Sequence, residues 1–220
     1  MNRLEGKVVV ITGGAGGIGK AAGKLFVNEG ADVLLVDLEE AALKSACNDI
    51  GSNKVSYCVA DVTSNSDNQK MINIAEERYG GVDVLLANAG VEGDVMSITD
   101  YDEKRFDQVM AVNVKGPFLG LKAAIPAISK RGGGSIIITS SVAGLGGVAN
   151  IAPYATSKHA VIGLMKSAAL PCSQGQIGNV LYFSISEIGR DFEENWNRSC
   201  QQRIGHVHAS QKIFQSGPAL

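Results

Sequence analysis

The chain has 220 residues, a formal net charge of −2 and 45% apolar residues, which suffices for one globular domain with a sizeable core. No basic block points to a nucleic-acid partner or an anionic membrane surface. No apolar run approaches the ~18 residues of a membrane span, and the N-terminus lacks a secretory signal. We therefore expect a cytoplasmic protein whose four cysteines are reduced thiols and form no metal site.

Strand and helix signals alternate along the first 170 residues, because short apolar runs are separated by amphipathic stretches. The predicted strands are residues 7–12, 32–37, 54–61, 82–88 and 135–141, and the predicted helices are residues 17–30, 39–51, 64–80, 101–130 and 153–170. A break near Gly116-Pro117 divides the fourth helical stretch into two helices, and Pro171 is expected to end the last one. Strands that are apolar at nearly every position are buried on both faces, which predicts an α/β fold with a parallel sheet between helices.

A glycine-rich loop, TGGAGGIG at residues 12–19, joins the first predicted strand to the first predicted helix. Glycine permits a tight turn and the close approach of backbone to a phosphate, and the helix N-terminus offers free N–H groups to a diphosphate. Gly13, Gly17 and Gly19 are therefore candidate residues for binding a dinucleotide. The alternative is a tight strand-to-helix turn that binds no ligand.

Asp37 ends the second predicted strand, at about the 20-residue spacing from the glycine loop that suits a ribose-binding acid. A carboxylate there accepts hydrogen bonds from both ribose hydroxyls and repels a 2′-phosphate. No Lys or Arg lies between Gly13 and Gly19 or directly after Asp37, which favours NAD over NADP. The alternative role for Asp37 is an N-cap of the following helix.

Together with motifs further along the chain, these features make the sequence similar to the short-chain dehydrogenase/reductase family, with matching order and spacing as far as residue 170. The residues that carry the resemblance are TGGAGGIG (12–19), Asp37, Asp61-Val62, ANAG (87–90), Asn113, Ser141, Tyr154 and Lys158. The resemblance implies a Rossmann-type doubly wound parallel sheet, and hydride transfer between a nicotinamide and an alcohol or ketone.

The resemblance also implies which residues hold the cofactor. In the family the Asp61-Val62 pair lies against the adenine, the Asn88-Ala89-Gly90 stretch passes the ribose, and Lys158 holds the hydroxyls of the nicotinamide ribose. The expected NAD site therefore comprises Gly13, Gly17, Ile18, Gly19, Asp37, Leu38, Asp61, Val62, Asn88, Ala89, Gly90, Tyr154 and Lys158.

Tyr154 and Lys158 lie one helical turn apart in the last predicted helix. A free phenol has a pKa near ~10, too high for a base at neutral pH, and a nearby ammonium lowers it. Tyr154 is therefore the candidate acid/base, and Ser141 at a strand end is the candidate donor to the substrate oxygen. By the resemblance, Asn113 is expected to hold a water in a proton relay behind Lys158.

Each assignment has an alternative. Tyr154 could be a helix-start aromatic residue that packs on the sheet. Ser140 could be the reactive serine, although the spacing to Tyr154 matches the family for Ser141. Asn113 could simply bond backbone within a kinked helix, and His159 is expected at the surface rather than as a general base.

The resemblance fades after residue 170, so residues 1–220 are expected to be a single domain in which residues 171–220 form a divergent cap. The residues that stand where relatives have Pro-Gly and a carboxamide-binding Thr are Phe183, Ser184 and Ile188. A short strand beginning near Asn179 and a weak helix over residues 190–204 are expected, and the last edge strand is expected to be missing. The altered tail leaves two alternatives to an enzyme: a nucleotide-binding protein with little or no turnover, and a poorly folded chain.

The loops that contact substrate in relatives are residues 91–100, residues 142–152 and the tail. The first carries Glu92 and Asp94 but no basic residue, and the second is small and apolar. We therefore expect a neutral small-molecule alcohol or ketone as substrate, with NAD favouring oxidation. The resemblance implies a homo-oligomer, either a dimer or a tetramer.

Overall fold

The computed structural model describes residues 2–172 and 179–185, and the chain up to Ser184 forms one compact unit. The strands are β1 (Val8–Thr12), β2 (Asp32–Asp37), β3 (Val55–Val59), β4 (Val84–Ala87), β5 (Ser135–Ser141) and β6 (Asn179–Ile185). The helices are α1 (Gly17–Asn28), α2 (Glu40–Ile50), α3 (Asn65–Tyr79), α4 (Glu103–Met110), α5 (Gly116–Lys130) and α6 (Ala152–Cys172). No helix within the described ranges is both long enough and apolar enough to cross a membrane.

The six strands form one sheet in the order β3-β2-β1-β4-β5-β6. Strand β1 pairs in parallel with β2 on one side and with β4 on the other, and further parallel pairs join β2 to β3 and β4 to β5. The predicted Rossmann-type doubly wound fold is therefore confirmed. In such sheets ligands bind beyond the carboxyl ends of the strands where the strand order reverses, which here is the end of β1 and β4.

The core explains why the strand sequences lack polar alternation. All five residues of β1 are buried, and so are the four central residues of β2. Helix α3 covers the sheet with Met71, Ile72 and Ala75, which are almost completely buried. Because helices shield both faces, apolar side chains are buried at successive positions along each central strand.

Two helix boundaries differ from the sequence prediction. No gap separates the helices at Gly116-Pro117, because a π-helical turn over Ala111–Lys115 links α4 directly to α5. Pro117 lies in the first turn of α5, where its missing N–H costs least. Asn113 is buried at the centre of the π-helical turn, a feature that often marks functional sites. Helix α6 passes through Pro171 and ends at Cys172, two residues later than predicted.

The expectations for the tail fall only partly within the described residues. The predicted sixth strand is present as β6, which continues through Phe183 and Ser184 to Ile185. The position of Ile188, the helix predicted over residues 190–204 and the expected loss of the last edge strand lie outside the described residues. The single domain predicted for residues 1–220 also extends beyond them and stays a prediction.

Asp83 links three elements at the amino ends of the strands. Its buried carboxylate accepts hydrogen bonds from the Val8 N–H at 2.9 Å, from Arg131 at 3.0 Å and from Lys7 at 3.2 Å. Burial alone would raise the pKa of Asp83, but these three donors outweigh it and hold the pKa below its ordinary value of 3.8.

We expect Asp83→Ala to lower the free energy of unfolding at pH 7 by about 1–3 kcal/mol, because the variant leaves a buried Val8 N–H unpaired. The pKa is lower in the folded state, so the part of this stabilisation that depends on the ionised carboxylate is present above pH 3.8 and is lost as pH falls through the lowered pKa of the folded state. Urea unfolding at pH 7 and near pH 3 should show the difference shrinking. Asp49→Ala, which breaks an exposed pair with Lys20, is the control and should cost under ~1 kcal/mol.

Candidate active site

The glycine loop between β1 and α1 contains two kinds of glycine. Gly13 has φ +66°, and a Cβ there would lie 2.9 Å from Ala89 Cα, while a Cβ on Gly19 would collide with the Gly13 carbonyl oxygen. The fold itself therefore requires these two glycines. Gly17 differs, because apart from its chain neighbours and the backbone of its own helix, no atom of the described residues lies within 4 Å of where its Cβ would be. The space beside Gly17 is thus open at the N-terminus of α1.

No capping or acidic side chain of α1 itself neutralises the positive charge at the N-terminus of this helix. Its N-cap is Gly16, which has no side chain to cap the helix, and its first turn contains no acidic residue. The free N–H groups and the positive end of the helix dipole therefore face the space beside Gly17, an arrangement that suits an anion such as a diphosphate.

Asp37 is joined to the glycine loop at the end of β2. One carboxylate oxygen accepts the Ala15 N–H at 3.1 Å, and the other accepts the Leu38 N–H at 2.8 Å. The alternative role as an N-cap does not occur, because the N-cap residue of α2 is Glu39. Each oxygen keeps lone pairs for hydroxyl donors, and the neighbouring Leu38 side chain is 60% exposed.

Asp61 and Val62 follow β3, the edge strand next to β2. One oxygen of Asp61 accepts both the N–H and the hydroxyl of Thr63 at 2.8 Å. Val62 packs against Gly116, where a Cβ would lie 3.1 Å from its Cγ2. These contacts fix the loop after β3, so the two residues are held at the edge of the sheet where the other candidate cofactor residues lie.

Asn88 connects the ends of three strands. Its amide group donates to the Gly13 carbonyl at 3.3 Å and accepts from the Thr139 hydroxyl at 3.2 Å. The Thr12 hydroxyl oxygen accepts the N–H groups of both Asn88 and Ala89. Sequence reasoning missed Thr12 and Thr139, although hydroxyl residues at the carboxyl ends of apolar strands were a usable signal.

Lys158 is a buried cation. Only 5% of the residue is exposed, and its ammonium donates to the Thr139 carbonyl at 2.9 Å. Within the described residues no carboxylate pairs with it, and burial lowers the pKa of Lys158 to about 8. A buried lysine whose pKa approaches neutrality is typical of a functional site rather than of a packing residue.

Tyr154 lies beside this cation in the first turn of α6. The Lys158 ammonium nitrogen is 5.4 Å from the centroid of the Tyr154 ring. Ser157 fixes the turn between them, because its hydroxyl donates to the Tyr154 carbonyl at 2.7 Å and accepts from the Asn113 amide at 3.0 Å. The structure therefore brings the two residues together on one side of α6. Ser157 was not among the residues selected from the sequence.

Asn113 uses both of its amide hydrogens. They go to the Val91 carbonyl at 2.8 Å and to Ser157, while its carbonyl oxygen accepts the Val91 N–H at 2.8 Å. Asn113 therefore bonds backbone, as the alternative reading proposed, but in a neighbouring loop rather than in its own helix. Its oxygen keeps one lone pair. A Cβ on Gly90 would lie 3.3 Å from that oxygen and 3.5 Å from the Lys158 ammonium, so both face the same space.

The two adjacent serines at the end of β5 have different environments. Ser140 is 2% exposed and donates to the Lys158 carbonyl at 3.0 Å, which attaches α6 to the strand. The Ser141 hydroxyl oxygen accepts the Ala143 N–H at 3.2 Å, and its own hydrogen has no acceptor among the described residues. Ser141 is therefore the better candidate to donate to a substrate. His159 is exposed, and its ring nitrogen lies 2.9 Å from the Ala155 carbonyl oxygen one turn earlier, as expected for a surface residue.

Comparison with known proteins agrees with this geometry. The model of the short chain dehydrogenase family matches residues 7–182. The chain is 43% identical over 168 residues to Short-chain dehydrogenase reductase 3c of Arabidopsis thaliana, an alignment that covers 76% of this chain and 64% of the relative. It is 37% identical over 221 residues to a mitochondrial borneol dehydrogenase of Lavandula x intermedia, which covers 98% of this chain and 83% of the relative.

A solved structure gives the same picture of the fold. An NAD+-bound xylitol dehydrogenase is 33% identical with a TM-score of 0.82, over 90% of this chain and 75% of that one. The chain spans 64–65% of the length of four Arabidopsis thaliana relatives, just under two thirds.

Proposed function

Because the chain belongs to the short-chain dehydrogenase/reductase family, we propose that it is an NAD-dependent oxidoreductase that interconverts a secondary alcohol and its ketone. The observation that carries the proposal is the Tyr154 ring beside the buried ammonium of Lys158. A phenol next to a cation is suited to act as a proton acceptor and donor, because the cation stabilises the phenolate. Carbonyl reduction and alcohol oxidation both require such a group.

In this proposal Tyr154 carries the proton of the reaction. During oxidation its phenolate accepts the proton of the alcohol, and during reduction the phenol returns a proton to the carbonyl oxygen. The pKa of Lys158 is about 8, so at pH 7 its ammonium is mostly charged and stabilises the phenolate. Ser141 donates its free hydroxyl hydrogen to the substrate oxygen and stabilises the charge that develops there.

The space beside Gly90 supports a proton path from Tyr154. The Asn113 carbonyl oxygen and the Lys158 ammonium both face that space, and a water there would have an acceptor and a donor as partners. We therefore place the proposed relay water between Asn113 and Lys158, with Asn113 using its oxygen rather than its amide hydrogens.

The residues of the glycine loop fit a dinucleotide. The open space beside Gly17 and the uncapped N-terminus of α1 suit the diphosphate, and Asp37 suits the ribose hydroxyls. Leu38, Asp61 and Val62 would border the adenine. When bound, NAD supplies the nicotinamide carbon that accepts or returns a hydride.

Calorimetric titration with NADH and with NADPH tests the choice of cofactor. We expect NADH to bind at least tenfold more tightly, about 1.4 kcal/mol, because the Asp37 carboxylate repels a 2′-phosphate. In Asp37→Ser this preference should largely disappear. Tighter binding of NADPH by the parent protein would contradict the role of Asp37, and binding of neither nucleotide would contradict the proposed function.

Two glycine variants separate cofactor binding from folding. We expect Gly17→Ala to leave the melting temperature unchanged but to weaken NADH binding by about tenfold or more, because the new methyl group enters only the open space. Gly19→Ala should lower both the melting temperature and the affinity for NADH, since its methyl group collides with the loop backbone. Thermal unfolding and calorimetry on both variants provide the test. Unchanged NADH binding by Gly17→Ala would mean that the diphosphate lies elsewhere.

A second candidate is a nucleotide-binding protein with little or no turnover. It is favoured by the continuation of β6 through Phe183 and Ser184, where members of the family have a Pro-Gly turn. NADH binding without oxidation of any alcohol would support this candidate.

We further propose an uncharged substrate, a homo-oligomer and a cytoplasmic location. The acidic pair Glu92 and Asp94 in the loop after β4 disfavours an anionic substrate. The borneol dehydrogenase relative is named as mitochondrial, and imaging of the fluorescently tagged chain distinguishes the two locations.

A further inference from the structure

Asn150 has an unusual backbone conformation just before the helix that carries Tyr154. Among the described residues it is the single non-glycine residue with positive φ, at 63°. This left-handed conformation is unfavourable for residues with a side chain, although Asn tolerates it better than most. The Asn150 side chain is exposed and makes no hydrogen bond to other described residues. The contacts of its side chain therefore do not explain the conformation.

The backbone of Asn150, in contrast to its side chain, does make a hydrogen bond. Its carbonyl oxygen accepts the Met96 N–H at 2.8 Å. Met96 lies in residues 91–100, which we call the first rim loop, and Asn150 lies in residues 142–151, the second rim loop. Within the described parts of the chain, this is the one hydrogen bond between the two rim loops. The carbonyl group of the left-handed residue Asn150 thus links the second rim loop to the first.

Both rim loops expose large apolar side chains. Val95 and Leu145 are 70% and 63% exposed, and Met96 and Val148 are 43% and 44% exposed. The second loop follows Ser141 directly and leads into the helix of Tyr154. Neither rim loop contains Lys or Arg. The charged residues of the two loops are Glu92, Asp94 and Asp100, all acidic and all in the first loop. Together the loops offer a border of exposed apolar side chains without a cation, next to the candidate catalytic residues.

We propose that Asn150 is a positioning residue that fastens the two rim loops into one apolar rim for the body of a bulky, uncharged secondary alcohol. The inference rests on the proposed function and names the substrate class of that site. Asn150 does not touch the reacting atoms. Its loss is expected to affect the binding of alcohols large enough to reach the rim, and to leave a small alcohol and the chemical step unchanged.

Two substitutions at residue 150 and one beside it test the fastening of the loops. Asn150→Gly keeps access to positive φ but removes the side chain, whereas Asn150→Val disfavours that conformation strongly. Ala149→Val is the matched control, because it adds the same exposed side chain where φ is not positive. In hydrogen exchange, the Met96 amide should exchange roughly tenfold faster in Asn150→Val and at the parental rate in the other two. Parental exchange in Asn150→Val would overturn the proposal.

Kinetics with borneol as a bulky probe and cyclohexanol as a small one test the consequence. We expect Asn150→Val to raise KM for borneol by about tenfold and to leave kcat for borneol unchanged. For cyclohexanol, KM and kcat should both stay at the parental values. Equal effects on the two alcohols would overturn the role of the rim. A parent protein that oxidises neither alcohol would instead count against the proposed function, while hydrogen exchange would still decide whether Asn150 fastens the loops.

Discussion

Tyr154→Phe is expected to reduce kcat for alcohol oxidation by roughly 10²–10⁴-fold and to leave NADH binding unchanged. The substitution removes only the phenolic oxygen, so the ring keeps its place beside the Lys158 ammonium. Without that oxygen, the buried cation no longer has a phenolate to stabilise, and no group accepts the proton of the alcohol. Steady-state kinetics and NADH calorimetry on the same preparation measure the two quantities separately.

Tyr57→Phe is the matched control for this experiment. Its hydroxyl donates to Glu40 on α2 and bonds to none of the candidate catalytic residues Asn113, Ser141, Tyr154 and Lys158, so its loss should leave kcat unchanged. Parental turnover by Tyr154→Phe would show that the assignment of the acid/base is wrong. If the parent protein binds NADH but, like Tyr154→Phe, has no activity, the result would support the nucleotide-binding alternative.

Lys158→Met is expected to abolish activity and yet to stabilise the apo protein at pH 7. Burial lowers the pKa of Lys158 from 10.5 to about 8, so the folded protein carries a charge in a place that disfavours it. This penalty is on the order of 3 kcal/mol, because one pKa unit corresponds to about 1.4 kcal/mol. The Thr139 carbonyl loses a donor in the variant, which offsets about 1 kcal/mol of the gain.

The pH dependence of this gain has a definite sign. Between pH 8 and 10.5 the unfolded chain binds more protons at Lys158 than the folded chain does, so the parent becomes more stable as pH rises. The Met variant lacks this slope, and its advantage should be largest below pH 8 and mostly gone by pH 10.5. Urea unfolding at pH 7 and pH 10 measures it. Lys166 is an exposed lysine of the same helix, so Lys166→Met should show no such trend. If Lys158→Met were less stable than the parent at pH 7, the argument would be contradicted.

The parts of the fold that follow from local patterns could be predicted from the sequence. The buried strand β1, the turn at Gly13 and the helix that places Tyr154 one turn from Lys158 each depend on neighbouring residues only. The parallel sheet between helices also follows, because its strands are apolar on both faces, whereas its doubly wound strand order was implied by the resemblance to the family. Local periodicity and turn chemistry carry this information directly.

The contacts that organise the candidate site could not be predicted in the same way. The π-helical turn around Asn113 depends on Val91 and Ser157, which are far from it in sequence. The hydrogen bond from the Met96 N–H to the Asn150 carbonyl likewise joins two loops that are far apart in sequence. Hydrogen bonds of this kind are visible only once the elements are packed together, and the sequence contains no periodic signal for them.

The strand order also has a consequence for folding of the chain during translation. Val9 in β1 pairs with Val33 on one side and with Val84 on the other, so the second partner leaves the ribosome about 50 residues after the first. At translation speeds of roughly 5–20 residues per second, one edge of an apolar strand stays unpaired for several seconds. Unpaired edges of this kind recruit other chains. We therefore expect the nascent chain to depend on a chaperone during synthesis, even though the finished sheet buries that strand completely.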